Sequence, residues 1–203
     1  MNIRNISLSG AALITLLAAI PGQAQDYRAQ AIAMMTRDFH AHGIASMDRL
    51  KEDGLQAVCN RTDNKPPKAL AEQLEKDQAA SNKFPADGKL LGDWKAGEKL
   101  AQNGRGMAWS DKPGATGGSC YNCHQIGPTE TSFGTVGPSL YHFGKNRGFT
   151  AENQKYAYSK IFNSKITNLC SNMPRFGHSG TLNEHQIQDL VAYLMDPTSP
   201  VNR

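Results

Sequence analysis

The tightest constraint on this chain is a run of five residues, Cys120-Tyr121-Asn122-Cys123-His124. Two cysteines three apart, with histidine directly after the second, form the pattern that attaches a haem covalently. Each thiol adds to one vinyl group, and two intervening residues let both sulfurs reach the same edge of the porphyrin. The adjacent imidazole then lies under the ring and offers a nitrogen to the iron. A bare Cys-x-x-Cys leaves zinc and thioredoxin-like chemistry open, but the histidine argues against both. There is no second Cys-x-x-Cys for a four-thiolate site and no βαβ pattern around this one. Cys120 and Cys123 are therefore the expected haem-binding cysteines, His124 the expected iron ligand, and one covalent haem c the expected cofactor. Composition agrees: only 39% of residues are hydrophobic and 19 of 203 are glycine. Glycine-rich loops around a small aliphatic core suit a fold whose interior is largely the haem.

Three regions follow from the chain's texture. Residues 1–24 read as a signal peptide, with Arg4 before the apolar run Ala11 to Ile20 and a small-x-small site at Gly22-Gln23-Ala24. That run is too short to span a bilayer and no other segment approaches the length, so an exported, periplasmic protein without a membrane span is expected. Residues 25–90 read as a helical N-terminal extension. Ile32, Met35 and Phe39 share a face in a first helix stopping near Gly43. A second runs from Met47 towards Cys59, interrupted at Gly54. Pro66-Pro67 opens a third, with Leu70 and Leu74 on one face. His40 and His42 are expected to be solvated. So thin an extension must cover another surface.

Residues 91–203 have the texture of a small cytochrome c. Asp93 caps a helix from Trp94 to about Asn103, with Gly97 inside it as a notch for a crossing element. Thr181 to Glu184 reads as a capping box, leading into a helix with the apolar stripe Ile187, Leu190, Val191 and Leu194, stopped by Pro197. Tyr193 is the ring expected against Gly97. Thr150 caps a helix from Ala151 to Phe162, whose Tyr158, Ile161 and Phe162 are expected to face the porphyrin. The expected fold is all-α, a class I cytochrome c domain with a helical extension.

His124 needs its second ring nitrogen held. Gly137-Pro138-Ser139-Leu140 resembles the segment that does so in small cytochromes c, through the proline carbonyl, which assigns Pro138 that role. For the sixth ligand, Met173 in Asn172-Met173-Pro174-Arg175-Phe176-Gly177 is the candidate, because proline forces the preceding residue into extended backbone on a rigid loop. His142 and His178 compete, and Met107 and Met195 read as packing residues. A His/Met pair closes the iron to substrates and raises its potential, as electron transfer requires. Cys59 and Cys170 remain. In an oxidising compartment the simplest reading is a disulfide, the alternative a free Cys170 acting as catalytic thiol or haem ligand.

Charge is uninformative about macromolecular ligands. Residues 91–203 carry eleven basic and eight acidic side chains, an excess of +3, too weak to imply nucleic acid. Lys145, Arg147, Lys160, Lys165 and Arg175 fall in haem-proximal stretches and are a candidate basic rim for a redox partner.

Taken together, the haem motif, Gly-Pro-Ser-Leu, Asn-Met-Pro-Arg-Phe-Gly, and a last helix ending Val-Ala-Tyr-Leu-Met-Asp-Pro before Ser-Pro-Val-Asn resemble the SoxX family over residues 92–203. The resemblance implies the monohaem subunit of a SoxAX complex, an L-cysteine S-thiosulfotransferase in bacterial sulfur oxidation. Such a complex couples thiosulfate oxidatively to a cysteine of a SoxYZ-like carrier. Chemistry occurs on the SoxA-like haem subunit, with which this chain forms a heterodimer. This chain, with no catalytic residue of its own, passes electrons to a downstream cytochrome. The long extension resembles that of the longer SoxX type. A free periplasmic electron shuttle is the alternative, and a cytochrome whose extension is a docking module is a third.

Overall fold

Four polar residues decide where the principal helices begin. In the computed structural model, which describes residues 27–114 and 116–203, the side chains of Asp53, Asp93, Thr150 and Asn183 each accept a backbone N–H from the first helical turn. The expected signal peptide lies outside the described residues. Among those residues all regular structure is helical and there is no strand. The helices are α1 (Tyr27–Asp38), α2 (Gly54–Arg61), α3 (Lys68–Ala80), α4 (Trp94–Gln102), α5 (Phe143–Arg147), α6 (Ala151–Phe162) and α7 (Glu184–Met195). Short 3₁₀ turns lie at Met47–Leu50, Cys120–Asn122, Ser164–Ile166 and Pro200–Asn202.

Capping explains where the helices depart from expectation. Gly54 does not interrupt a helix; it opens one. Asp53 accepts from the Gln56 N–H (2.7 Å), while the Gln56 side chain accepts from the Asp53 N–H (3.0 Å), a complete capping box. The box of the last helix is Asn183 with Gln186, both bonds 3.0 Å, two residues later than expected. Thr181 is instead hydrogen-bonded to Ser179 (2.8 Å). α1 ends at Asp38, before Gly43, because His42 and Ala45 close a tight turn by two backbone bonds (3.0 and 2.9 Å) in which Gly43 has φ +53°.

The core is built on the crossing of α4 and α7. Ile187, Leu190, Val191 and Leu194 are all buried, as the stripe predicts. A Cβ on Gly97 would lie 2.0 Å from the Asp189 carbonyl oxygen and 2.9 Å from Tyr193 Cβ, so only glycine lets the helices approach this closely. Asp189 also binds the start of α4, accepting from the Asp93 N–H (2.8 Å). Gly97→Ala is expected to cost about 2 kcal/mol of stability, because overpacking outweighs alanine's better helix propensity. The measurement is the denaturation midpoint at unchanged slope; a variant as stable as the parent would show that the crossing yields freely.

Tyr158, Ile161 and Phe162 of α6 are buried in this core, Tyr158 with its ring 5.6 Å from that of Phe84. The C-terminal residues seal the end of α7. The Asn202 amide donates to the carbonyls of Leu194 (3.1 Å) and Asp196 (2.9 Å), orphaned where Pro197 ends the helix.

The chain divides into two units, one ending at Asp38 and the other spanning Phe39–Arg203. In the first, α1 has no buried residue. In the second, residues 39–90 of the extension pack with the remainder. Leu55, Cys59 and Leu169 form a small apolar cluster, joined by Ala71, Leu74 and Cys170. The inward face of α3 is therefore Ala71 with Leu74, and Leu70 is exposed. Asn163, at the end of α6, donates to Gln78 (3.0 Å) and Ser81 (3.1 Å) of the extension.

Candidate haem site

The attachment motif hangs from the end of α4. Gly118 N–H donates to the Leu100 carbonyl (2.9 Å) and Ser119 N–H to that of Asn103 (3.0 Å). Ser119 adopts left-handed backbone (φ +49°), turning the chain into the 3₁₀ turn Cys120–Asn122. Cys123 and His124 N–H both donate to the Cys120 carbonyl (3.1 and 2.9 Å), which folds both cysteines and the histidine into one turn. Tyr121 anchors it. Its hydroxyl accepts from the Gly127 N–H (3.0 Å) and lies 2.7 Å from the Tyr193 hydroxyl on α7. The following glycine-rich loop laces onto the motif, with Gly134 N–H on the Tyr121 carbonyl (2.7 Å) and Gly137 N–H on that of Cys123 (2.8 Å).

His124 Nδ1 lies 2.7 Å from the Pro138 carbonyl oxygen. A carbonyl only accepts, so Nδ1 carries the proton and Nε2 is left with its lone pair for a metal. A Cβ on Gly137 would stand 2.2 Å from His124 Cε1, so the loop can lie against the imidazole only with glycine there. Both Cys120 and Cys123 are unpaired and half-buried, and burial pushes the Cys120 thiol up to about 12. No cluster of three His, Cys, Asp or Glu suited to a metal ion occurs among the described residues. These residues fit a covalently attached haem: two unpaired cysteines in one turn, an imidazole with one nitrogen tied back, and a glycine cradle beside it.

Met173 is half-buried and, like Cys120, packs against the main core. Its carbonyl accepts from the fully buried Ser164 hydroxyl (2.5 Å) and its N–H donates to Ser171 Oγ (3.2 Å). Beyond it, the N–H groups of Gly177 and His178 donate to the Phe162 carbonyl (3.0 and 2.9 Å). Cys59 and Cys170 form a disulfide closing 111 residues of chain. Of the two competing histidines, His178 is exposed just beyond the methionine loop, and His142 is engaged elsewhere. His142 Nε2 lies 2.7 Å from the Arg203 carbonyl, with its ring stacked on Tyr141 (3.8 Å). Met195 is fully buried and Met107 exposed. His42 is not merely solvated, since its ring contacts Trp109 at 4.2 Å.

The proposed basic rim loses two members. Lys165 is buried, and Arg175 is ion-paired with Asp53 across 122 residues. Arg147 lies over the rings of Phe143 (5.0 Å) and Tyr156 (4.5 Å). Burial raises the Asp53 carboxyl, but the Gln56 N–H, Arg175 and Lys165 outweigh it and hold the group below its usual range. Burial, reinforced by Arg175, lowers the Lys165 ammonium. The Asp53–Arg175 pair is missing from the sequence reading. The D-x-x-Q box beginning at Asp53 was its one local signal, marking where α2 starts.

Residues 95–197 match the cytochrome c family. An uncharacterized lipoprotein of Aquifex aeolicus (strain VF5) is 37% identical over 155 residues, covering 75% of this chain and 73% of that protein. The chain belongs to the cytochrome c family, whose covalently bound haem c transfers electrons. Lipid attachment belongs to the relative's name. No helix among the described residues is long and apolar enough to cross a membrane.

Proposed function

We propose that this protein is the electron-transfer subunit of a periplasmic complex that oxidatively couples thiosulfate to a carrier-protein cysteine. The observation that carries this reading is the Asn172–Gly177 loop, which resembles the methionine loop of SoxX and is tied to the fold on both flanks of Met173. Cys120 and Cys123 would hold one haem covalently, His124 and Met173 would ligate its iron, and Pro138 would orient the imidazole through its carbonyl. When bound, the haem supplies a one-electron carrier of raised potential whose iron has no open position.

The division of labour follows from that closed iron. Coupling forms a sulfur–sulfur bond between thiosulfate and the carrier thiol, releasing one proton and two electrons. Thiosulfate has no coordination site on this chain, so the bond is made on a SoxA-like partner and the electrons leave here in two successive single transfers. The helix α1, which buries no residue and exposes Tyr27, Ile32 and Met34, supports a role for the extension in that assembly. Isolation of the native protein is the test. A second haem protein in stoichiometric amount is expected to co-purify, and deletion of residues 27–38 to loosen it. Recovery of the chain alone, with full activity as a soluble electron carrier, would favour the free shuttle.

A further inference from the structure

The segment Asp53–Cys59 touches the methionine loop at two points, one on each side of Met173. Cys59 is bonded to Cys170, three residues before the methionine, and Asp53 is ion-paired with Arg175, two residues after it. The two grips are six residues apart on α2 and its cap, about 9 Å along the helix axis. On one face Leu55 and Cys59 of this segment pack against Leu169; the face towards Met173 is different. A cleft of about 320 Å³ separates α2 from the loop, lined by Gln56, Asn60 and Asn64 on one side and by Ser171, Asn172 and Met173 on the other. The disulfide and the ion pair therefore tie the two sides of this polar cleft together on either side of Met173.

We propose that Asp53 and Arg175 are positioning residues for the sixth iron ligand, acting with the Cys59–Cys170 bond as a two-point clamp that holds Met173 on the iron. This rests on Met173 being that ligand. The pair suits the task because it is largely shielded: the Arg175 side chain is 16% exposed and that of Asp53 36%. Shielding strengthens the attraction and raises the cost of leaving one partner alone. Lys165, buried and lining the same cleft, sharpens the effect. Without the Asp53 carboxylate two cations face each other across the cleft. Arg175 is then driven out, drawing the loop with it.

Asp53→Asn isolates the charge, because asparagine caps a helix as well as aspartate does and α2 keeps its N-terminus. The full-length ferric holoprotein is titrated with imidazole, which binds only when the methionine leaves the iron. Asp53→Asn is expected to tighten apparent imidazole binding about tenfold, the factor appropriate to losing a charge-assisted bond. It should also weaken the near-infrared methionine-to-iron band and lower the potential. Arg175→Lys, which keeps the charge, should restore most of the parent behaviour, and Asp48→Asn, removing an exposed charge paired with Lys51, should change nothing. In the Asp53→Asn, Arg175→Gln double variant the two effects should be less than additive. Wild-type imidazole affinity, band and potential in Asp53→Asn, with the band lost in Met173→Ala, would overturn the clamp and leave the ligation intact. A band that survives in Met173→Ala would overturn the ligation itself, and the clamp with it.

Discussion

Met173→Ala is expected to abolish the near-infrared methionine-to-iron band of the ferric protein and to lower its potential. The drop should be a substantial part of the roughly 0.8 V that haem axial ligands span. The thioether is a soft ligand that favours ferrous iron, and water or an endogenous nitrogen in its place favours ferric. The variant should remain folded. The loop is held through the Met173 carbonyl by Ser164 and through Gly177 and His178 by Phe162, none of which uses the methionine side chain. Absorption and potentiometry on the same sample check both halves. An unchanged band would transfer the sixth position to another residue.

Removing the disulfide should have the largest effect on stability. Cys59→Ser with Cys170→Ser is expected to cost about 3 kcal/mol, below the roughly 5 kcal/mol that chain entropy alone assigns to so long a loop. The cluster of Leu55, Leu169, Ala71 and Leu74 around it should loosen as well, since nothing else covalent joins α2 to Leu169. Denaturant unfolding of parent and variant is the check. In the unreduced, denatured parent a thiol reagent should label neither cysteine, and labelling of Cys170 would restore the catalytic-thiol reading.

Local chemistry made much of this legible in advance. The haem motif, Gly137-Pro138 and the stripe of α7 are short-range patterns, and each lies where its spacing places it. Gly97 was readable as a notch because a glycine inside a helix needs a reason. Cys59 and Cys170 were paired by elimination alone. What escaped depends on contacts far apart in sequence. Lys165 and Arg175 read as members of a basic rim for a redox partner until Lys165 is seen to be buried and Asp53 to lie beside Arg175. Nothing near Asn202 announces that its amide closes the end of α7. The helix starts at Gly54 and Glu184 were misplaced for a different reason. Asp53-x-x-Gln56 and Asn183-x-x-Gln186 are capping boxes in plain view, outweighed by Gly54 as a breaker and by Thr181 as a rival cap.

The central claim is that electrons from thiosulfate pass through this chain while the bond-forming chemistry happens elsewhere. Rapid-mixing absorbance of the ferric holoprotein with thiosulfate and the carrier protein, with and without the SoxA-like subunit, tests it most directly. The account predicts that the haem of this chain becomes reduced, and coupled carrier accumulates, only when that subunit is present. Coupling by this chain alone, or coupling in the complex while its haem stays ferric and no electron passes through it, would contradict the account.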